Sequence, residues 1–272
     1  MLRTRIITAV VLLIVLLAVL SSGSWLAFAV LTGAFFAVAS WECLRLFGNR
    51  QPLFGAAIWV AAFAWLVYNG NYNQSILLPA ICVAIWAARL TPSLAIGLPP
   101  QDSMNGRFLT GIYGIALLGA FLGILALFAH SVLYMFSVMM LVWIADVGAY
   151  FSGKAFGKRK LAPSISPGKS WEGAIGGALL VLAAGFASLA VPALEDTFAV
   201  QLFRHWGVAG MAAVLILMVA ASIVGDLFES QLKRRAGMKD SSNLLPGHGG
   251  VLDRLDALIP TVPLAVLFSH WM

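Results

Sequence analysis

Apolar stretches long enough to cross a membrane recur along almost the whole chain. A spanning helix needs about 20 mostly apolar residues, because lipid offers its backbone polar groups no partners. With 61% hydrophobic and 10% charged residues, the sequence predicts an all-α, polytopic integral membrane protein whose single membrane domain covers residues 1–272. It predicts about nine spans, approximately at residues 6–22, 25–46, 53–69, 74–90, 108–129, 132–152, 172–191, 208–231 and 256–271.

The lysines and arginines predict the orientation. With nine spans and a cytoplasmic N-terminus, every lysine and arginine except Arg204 falls on the inner side, as the positive-inside rule requires. The basic loops 152–171 and 232–255 are then cytoplasmic, and the C-terminus is external. The net charge of +6 is thus concentrated on one face. Such a face favours anionic membrane lipids and a nucleotide as partners, and the lack of a soluble basic domain argues against DNA or RNA.

Charged residues and glycines are concentrated in residues 230–256. The segment contains Ser-Gln-Leu-Lys-Arg at 230–234, Lys-Asp at 239–240, Pro-Gly-His-Gly-Gly at 246–250 and Asp-Arg-Leu-Asp at 253–256. Backbone amides freed by glycine suit phosphate oxygens, as do lysine and arginine, whereas aspartates suit a hard cation. The segment therefore predicts a phosphate-and-metal site at a membrane surface.

This run resembles the signature of the phosphatidate cytidylyltransferases, or CDP-diacylglycerol synthases. The match covers every specified position of Ser-x-Leu-Lys-Arg-x4-Lys-Asp-x-Ser-x2-Leu-Pro-x-His-Gly-Gly-Val-x-Asp-Arg-Leu-Asp. The resemblance implies a membrane enzyme of phospholipid biosynthesis that joins phosphatidic acid to CTP and releases pyrophosphate. It also implies a homodimer in the bacterial inner membrane, with its active site facing the cytoplasm. The expected cofactor is Mg²⁺ in a two-metal site, with room for an additional monovalent cation.

The resemblance covers mainly residues 146–173 and 225–256. We therefore expect the catalytic spans within 131–272, whereas the spans within 1–130 are predicted from hydropathy alone.

Carboxylates at membrane depth need a partner or a hydrated cavity. Asp226, Glu229 and Lys233 share one face of the eighth predicted span, which must therefore turn away from lipid. Asp253 and Asp256 open the ninth span, where helix capping is an alternative role for one of them. If the intervening loop folds back, Asp226 and Asp253 are expected to bridge a metal pair, with Glu229, Asp256 and Asp146 as weaker candidate ligands.

The remaining polar residues of both segments are assigned to the substrates. We predict catalytic roles for Asp226, Asp253, Lys233 and His248, with His248 donating a hydrogen bond to phosphate rather than abstracting a proton. The predicted substrate-binding residues are Arg234, Lys239, Arg254, Lys169, Ser170, Gly249 and Gly250.

The loop after the sixth span contains Gly168-Lys169-Ser170, which resembles the end of a phosphate-binding P-loop. The first glycine of that motif would be Pro163 and no strand precedes it, so a soluble-type NTPase is excluded. Ser166 or Ser170 could instead cap the next helix, whose amide-rich end favours a phosphate. Gly168 and Ser170 stand where the family has lysine and threonine, and a basic inner loop is also a common topology determinant.

Other polar residues have simpler interpretations. Glu42 and Arg45 are predicted to form a local ion pair, Cys43 and Cys82 to be packing residues, and Asp146 has an interhelical hydrogen bond as its alternative role. His130, His205 and His270 fall near the outer face and are not expected to be catalytic.

Two other functions remain open. One is a nucleotidyltransferase acting on another lipid phosphate, such as an isoprenoid phosphate. The other is an ion-coupled transporter that uses Asp146 and Asp226 as relay groups. The acids cluster toward one face and no inverted repeat of broken helices is evident, which disfavours a transporter.

Overall fold

A computed structural model describes residues 2–70 and 75–272 and shows a helical bundle. The first half contains α1 (Leu2–Ser21), α2 (Trp25–Leu46), α3 (Pro52–Asn69), α4 (Leu77–Ile85), a π-helical turn (Trp86–Leu90), α5 (Thr91–Ile96) and α6 (Met104–His130). The second half contains α7 (Val132–Phe156), strands β1 (Lys160–Ala162) and β2 (Ser166–Ser170), α8 (Trp171–Ser188), a 3₁₀ turn (Pro192–Leu194), α9 (Phe198–Arg235), α10 (Leu252–Leu255) and α11 (Leu258–Ser269).

The prediction of an all-α, multi-pass membrane protein is confirmed at that level. Within the described residues, seven helices are long and apolar enough to cross a membrane, and two shorter apolar helices lie at Ile6–Ser21 and Leu258–Ser269. These nine helical regions correspond to the nine predicted spans. The count of nine and the cytoplasmic N-terminus remain predictions.

Several predicted boundaries are wrong. The fourth helical region continues through Pro92 to Ile96, because proline is tolerated in the first turn of a helix. The basic loop predicted at 152–171 begins inside α7 and then forms an antiparallel hairpin, in which Lys160 pairs with Ser170. The predicted start of the fourth span at residue 74 lies outside the described residues.

The eighth predicted span is also longer than expected. Its helix begins at Phe198 and is interrupted at Gly207, where φ is 65° and ψ is −169°. Only glycine adopts such a conformation without strain, so the chain can change direction there. The ninth predicted span corresponds to α11 and is preceded by the short α10, which leaves Asp256 between the two helices.

Helix α6 lies at the centre of the bundle and packs against α2, α4 and α11. Its glycines allow close approach, as expected when helices associate in lipid. A Cβ atom on Gly123 would lie 2.7 Å from Val262 Cγ1 of α11. Cys82 packs against Gly119, and Cys43 and Cys82 are both free and buried, which confirms their interpretation as packing residues.

Helices α7, α8 and α9 form the neighbouring group and carry the polar residues of the site. A Cβ atom on Gly148 of α7 would lie 3.0 Å from Gly177 Cα, and one on Gly177 would lie 2.6 Å from the Ala145 carbonyl. The two helices therefore touch along a strip without side chains. This contact fixes the position of Asp146, which precedes Gly148, relative to the start of α8.

Polar side chains at the far end of the bundle contact one another. His130 Nε2 lies 2.9 Å from Asp196 Oδ1, and Ser131 hydrogen-bonds to the other oxygen of Asp196. Tyr134 Oη lies 2.7 Å from Ser269 Oγ. Burial disfavours the charged form of Asp196, but these hydrogen bonds and the nearby histidine lower its pKa. The cluster joins helix ends at the opposite end of α7 from the hairpin.

Candidate active site

The last turns of α9 carry two acids and a lysine that the helix keeps away from lipid. Glu229 is fully buried, and Lys233 Nζ lies 3.4 Å from its Oε1. Neither carboxylate oxygen of Glu229 forms a hydrogen bond within the described residues. Asp226, one turn earlier, accepts a hydrogen bond from Ser230 Oγ at 3.3 Å. The inward orientation predicted for this face is confirmed for Glu229.

Asp253 is held by four donors. Lys233 Nζ lies 2.6 Å from Oδ1, while Oδ2 accepts from the Ser241 amide at 2.8 Å, the Ser241 hydroxyl at 3.0 Å and the Gly250 amide at 2.8 Å. Burial alone would raise the pKa of Asp253, but the Lys233 contact and the backbone hydrogen bonds hold it below its usual value. The loop therefore does fold back onto α9, and its contact is an ion pair between Asp253 and Lys233.

The glycines of the signature allow this folded loop. His248 N donates to the Leu245 carbonyl at 2.8 Å across Pro246 and Gly247, whose φ is 78°, as in a type II turn. Gly249 also has a positive φ, of 84°, and a Cβ atom there would lie 2.9 Å from Asp253 Oδ2. Gly247 therefore permits the turn, and Gly249 permits the close approach of the Asp253 carboxylate.

Asp256 lies beside the acidic face of α9. A Cβ atom on Gly225 would collide with the Asp256 carbonyl and lie 2.8 Å from Pro260 Cδ, so this glycine allows the two segments to touch. The Asp256 carboxylate is near enough to Asp226 and Glu229 to interact with their charges. Its Oδ1 accepts from the adjacent Ala257 amide at 2.8 Å, but α11 has no side-chain cap hydrogen bond at its start, so a capping role for Asp256 is not observed within the described residues.

The hairpin supplies Lys169. Its Nζ lies 2.6 Å from Asp226 Oδ2, so the two signature segments meet at this ion pair. Ser170 caps α8, because its hydroxyl accepts the Gly173 amide hydrogen at 3.1 Å. Ser170 is also buried. This confirms the capping prediction for Ser170, whereas its predicted role in substrate binding remains untested.

A cavity of about 430 Å³ lies between α7, α8, α9 and the hairpin. Asp146, Lys169 and Asp226 form its charged part, and Tyr150 also lines it. The rest of its wall is mainly small or apolar: Ala145, Ala149, Leu161, Gly173, Ala174, Gly177, Val219 and Ile223. The predicted common face of Asp146 and Tyr150 is therefore turned toward this cavity. The arrangement offers one charged end and one apolar end to a ligand.

The other signature cations lie elsewhere. Lys239, His248 and Arg254 line a cleft of about 610 Å³ on the loop, together with Gly249. Arg254 Nε donates to the His248 carbonyl at 3.0 Å, and His248 Nδ1 has no partner among the described residues. Arg234 instead lines a separate cavity of about 320 Å³. The predicted phosphate-binding cations therefore do not form one cluster.

Glu42 is the residue that the sequence interpretation missed. The predicted ion pair with Arg45 is wrong within the described residues: the Arg45 guanidinium lies 4.7 Å from the Trp41 ring centre, and Glu42 is fully buried. The Glu42 carboxylate accepts hydrogen bonds from Ser242 and from the amides of Val251 and Leu252. The available signal was a carboxylate within an apolar span, as it was for Asp146.

No group of three or more histidine, cysteine or acidic side chains in the described part of the chain is arranged as a ready metal site. The donor chemistry nevertheless suits magnesium, which binds through one or two carboxylates and completes its shell with water and substrate phosphates. Asp226 and Asp253 already attract a lysine ammonium each, at 2.6 Å. Their oxygens are therefore placed to hold cationic charge beside the cavity and the loop.

Comparison with known proteins identifies the family. The model of the Cytidylyltransferase family matches residues 3–272. A Haemophilus influenzae protein named phosphatidate cytidylyltransferase is 37% identical over 100% of both chains. A Pseudomonas aeruginosa protein of that name is 42% identical over 97% of this chain and 95% of its own, and a Brucella suis one is 35% identical over 98% and 93%. The chain therefore belongs to the cytidylyltransferase family.

Proposed function

We propose that this protein is a phosphatidate cytidylyltransferase, which converts CTP and phosphatidic acid into CDP-diacylglycerol and pyrophosphate. The observation that carries the proposal is the Lys169–Asp226 pair at the charged part of an otherwise mainly apolar cavity. This cavity directly adjoins the α9 face that leads to Lys233 and Asp253. Phosphatidic acid has the matching character, with an anionic phosphate and apolar acyl chains. The family and the names of the relatives support the same reaction.

The two substrates are assigned to different openings. The acyl chains of phosphatidic acid enter the cavity between α7, α8 and α9, with the phosphate beside Lys169. The triphosphate of CTP lies in the loop cleft, where Lys239 and Arg254 offer positive charge. His248 Nδ1, which has no partner among the described residues, offers a hydrogen bond there. Lys233 follows Asp226 by about two turns on α9 and pairs with Asp253, and its charge reduces the repulsion between the two anions.

The reaction itself requires little acid–base chemistry. An oxygen of the lipid phosphate attacks the α-phosphorus of CTP, a P–O bond forms, and the bond from that phosphorus to the departing pyrophosphate breaks. The attacking oxygen is already anionic, so no side chain has to remove a proton. Lys169 and Lys233 orient the anions, while the apolar cavity excludes water from the lipid side.

Magnesium is proposed as the cofactor, with Asp226 and Asp253 as its ligands and Glu229, Asp256 and Asp146 as weaker candidates. When bound, it would neutralise the triphosphate and stabilise the charge that develops on pyrophosphate. A two-metal site with an additional monovalent cation would use the same acidic face. The Glu229 carboxylate supports this assignment, because it is buried on that face, accepts no hydrogen bond within the described residues and is approached by Lys233 Nζ at 3.4 Å.

We further propose nine spans in the bacterial inner membrane, with the N-terminus and both signature segments on the cytoplasmic side. Thr8 Oγ1 donates to the Pro246 carbonyl at 3.0 Å, which brings the start of α1 to the signature loop. CTP is present in the cytoplasm, so the loop cleft must open there.

A homodimer is also proposed, and its test is the mass of the protein in detergent or its cross-linking in membranes.

The function is tested by incubating the purified protein with labelled CTP, magnesium and phosphatidic acid. We expect CDP-diacylglycerol and pyrophosphate in equal amounts. Parallel reactions contain an isoprenoid phosphate in place of phosphatidic acid. Ion flux is measured separately, with the protein inserted in sealed vesicles. Turnover of the isoprenoid phosphate alone would reassign the substrate, and flux without nucleotide turnover would contradict the enzyme.

A further inference from the structure

We propose that Glu42 is a positioning residue for this reaction, which fixes the loop that carries Asp253. The proposal rests on the proposed function for its catalytic part. Glu42 belongs to α2, outside both segments that resemble the family signature, and its side chain is fully buried. Its contacts nevertheless lie within the signature, about two hundred residues further along the chain.

Both oxygens of Glu42 accept hydrogen bonds from the loop. Oε1 accepts from the Ser242 hydroxyl and from the Val251 amide at 3.1 Å, and Oε2 accepts from the Leu252 amide at 2.7 Å. Every partner is a donor, so the site requires an acceptor at both positions. An ionised carboxylate meets that requirement, whereas an amide side chain would place N–H groups against one of the donors.

Asp253 binds the same two strips of backbone. Ser241 and the Gly250 amide donate to Asp253, whereas their neighbours Ser242 and the Val251 amide donate to Glu42. The two carboxylates therefore join the strip around 241–242 to the strip around 250–252. Because Glu42 belongs to a long helix, it also attaches this pair of strips to the membrane bundle.

Gly250 shows how closely the parts fit. A Cβ atom there would lie 2.8 Å from Glu42 Cδ and would also collide with Ser241 Oγ. The loop thus reaches both carboxylates only because residue 250 has no side chain. Any loss of the Glu42 acceptors leaves buried donors unpaired, and the strip immediately before Asp253 must then move to find water.

This geometry separates positioning from direct catalysis. Glu42 is inaccessible and its oxygens are occupied, so it does not touch either substrate. Its influence passes through Gly250, Val251 and Leu252 to Asp253, which pairs with Lys233 at 2.6 Å. A displacement of about 1 Å at reacting groups costs about a hundredfold in rate, so loosening this strip should lower turnover more than binding.

The test compares Glu42→Gln with Ser40→Ala. Ser40 lies in the same helix, is buried, and its hydroxyl has no partner within the described residues, so it controls for changing a buried polar group of α2. For Glu42→Gln we expect kcat to fall by about 10- to 100-fold, while the KM for phosphatidic acid stays within about twofold of the wild-type value. Ser40→Ala should match the wild type, and Glu42→Asp should recover part of the lost rate.

Hydrogen exchange supplies a readout that does not depend on activity. In Glu42→Gln the amides of residues 240–256 should exchange at least about tenfold faster, while those of α6 and α7 keep their protection. Should Glu42→Gln not accumulate, Ser242→Ala removes one of the three donors to Glu42, together with the acceptor of the Leu244 amide. This variant is expected to show a smaller increase in exchange, confined to the same loop.

The outcomes separate the two proposals. Unchanged kcat and exchange in Glu42→Gln, or faster exchange throughout the bundle, would overturn the positioning role. A wild-type protein inactive on CTP and phosphatidic acid, with the local exchange change intact, would overturn the proposed function and leave the loop attachment supported.

Discussion

Each of the two aspartates predicted to bind metal is paired with its own lysine. Asp226 pairs with Lys169 and Asp253 with Lys233, both at 2.6 Å. A carboxylate in a mainly apolar region is costly without a neighbouring cation, and the lysine supplies that cation. Substrate phosphates would attract the same lysines, which would free carboxylate oxygens for magnesium. The two lysines therefore compensate the charge of the carboxylates and are also available to the substrate phosphates.

Asp226→Asn and Asp253→Asn should each abolish nucleotidyl transfer. Asparagine keeps the shape of the side chain and removes the charge, so we expect activity to fall by several orders of magnitude while each protein stays folded in the membrane. Turnover with a magnesium titration measures the effect, and Asp102→Asn, at an exposed turn residue, is the control. A near-normal rate with normal magnesium dependence in either variant would refute the paired-aspartate site.

Asp253 also makes the folding stability of the protein depend on pH. Its pKa is lowered in the folded protein, so its contribution is present above the unfolded pKa of about 3.9 and is lost as the pH falls further. The difference in thermal unfolding midpoint between the wild type and Asp253→Asn should be constant between about pH 5 and 8 and shrink below about pH 4. A difference that already shrinks between pH 8 and 6 would contradict this assignment.

At the scale of elements, hydropathy predicts the helices better than it predicts their ends. The fourth region continues past residue 90 and α9 begins at Phe198, because both extensions consist of helix-compatible residues that the span-length criterion leaves out. The hairpin at 160–170 was missed since its strands are only three and five residues long. The cost of burying charge predicts which helix faces turn away from lipid. It does not predict which residues contact those faces, because these contacts come from segments distant in sequence.

Glu42 illustrates that limit. A spacing of three residues favours an ion pair with Arg45, and that local rule is outweighed by three hydrogen bonds to a segment distant in sequence. Conversely, the inward face of α9 was predicted correctly because helical periodicity alone places Asp226, Glu229 and Lys233 together. Local patterns therefore predict faces, whereas long-range contacts decide which groups meet.

The contact between α7 and α8 predicts a sharp difference between two glycines. In Gly177→Ala the new Cβ would lie 2.6 Å from the Ala145 carbonyl. A Cβ on Gly111 would meet no described residue within 4 Å apart from the backbone of its own helix. We expect Gly177→Ala to lower the free energy of unfolding by about 1–3 kcal/mol and to reduce activity by distorting the adjacent cavity. Gly111→Ala should be neutral or stabilising by up to about 1 kcal/mol. Unfolding in detergent compares them, and equal stability of both variants would contradict the close packing.

At the scale of the molecule, the contacts sort polar groups into two opposite ends. Gln231 Nε2 donates to the Ser93 carbonyl at 3.0 Å and Arg235 Nη1 to the Pro99 carbonyl at 3.0 Å, so the end of α9 meets the segment after α4. Glu42 joins the end of α2 to the same region. At the other end, Asp196 contacts the α6–α7 junction. The contacts of the signature segments and those of Asp196 thus lie at opposite ends of the bundle, and which end faces the cytoplasm stays a prediction.

Labelling of single cysteines in intact cells tests which end faces the cytoplasm. The native Cys43 and Cys82 are buried, so they give little background. Asn243 is exposed in the signature loop and Ala193 is exposed near Asp196, which makes them suitable positions at the two ends. A membrane-impermeant maleimide should label Ala193→Cys in intact cells and Asn243→Cys only after permeabilisation, because a cytoplasmic loop cleft is required for access to CTP. Labelling of Asn243→Cys in intact cells would show that the signature loop faces outward. It would contradict the proposed orientation and the assignment of CTP to the loop cleft.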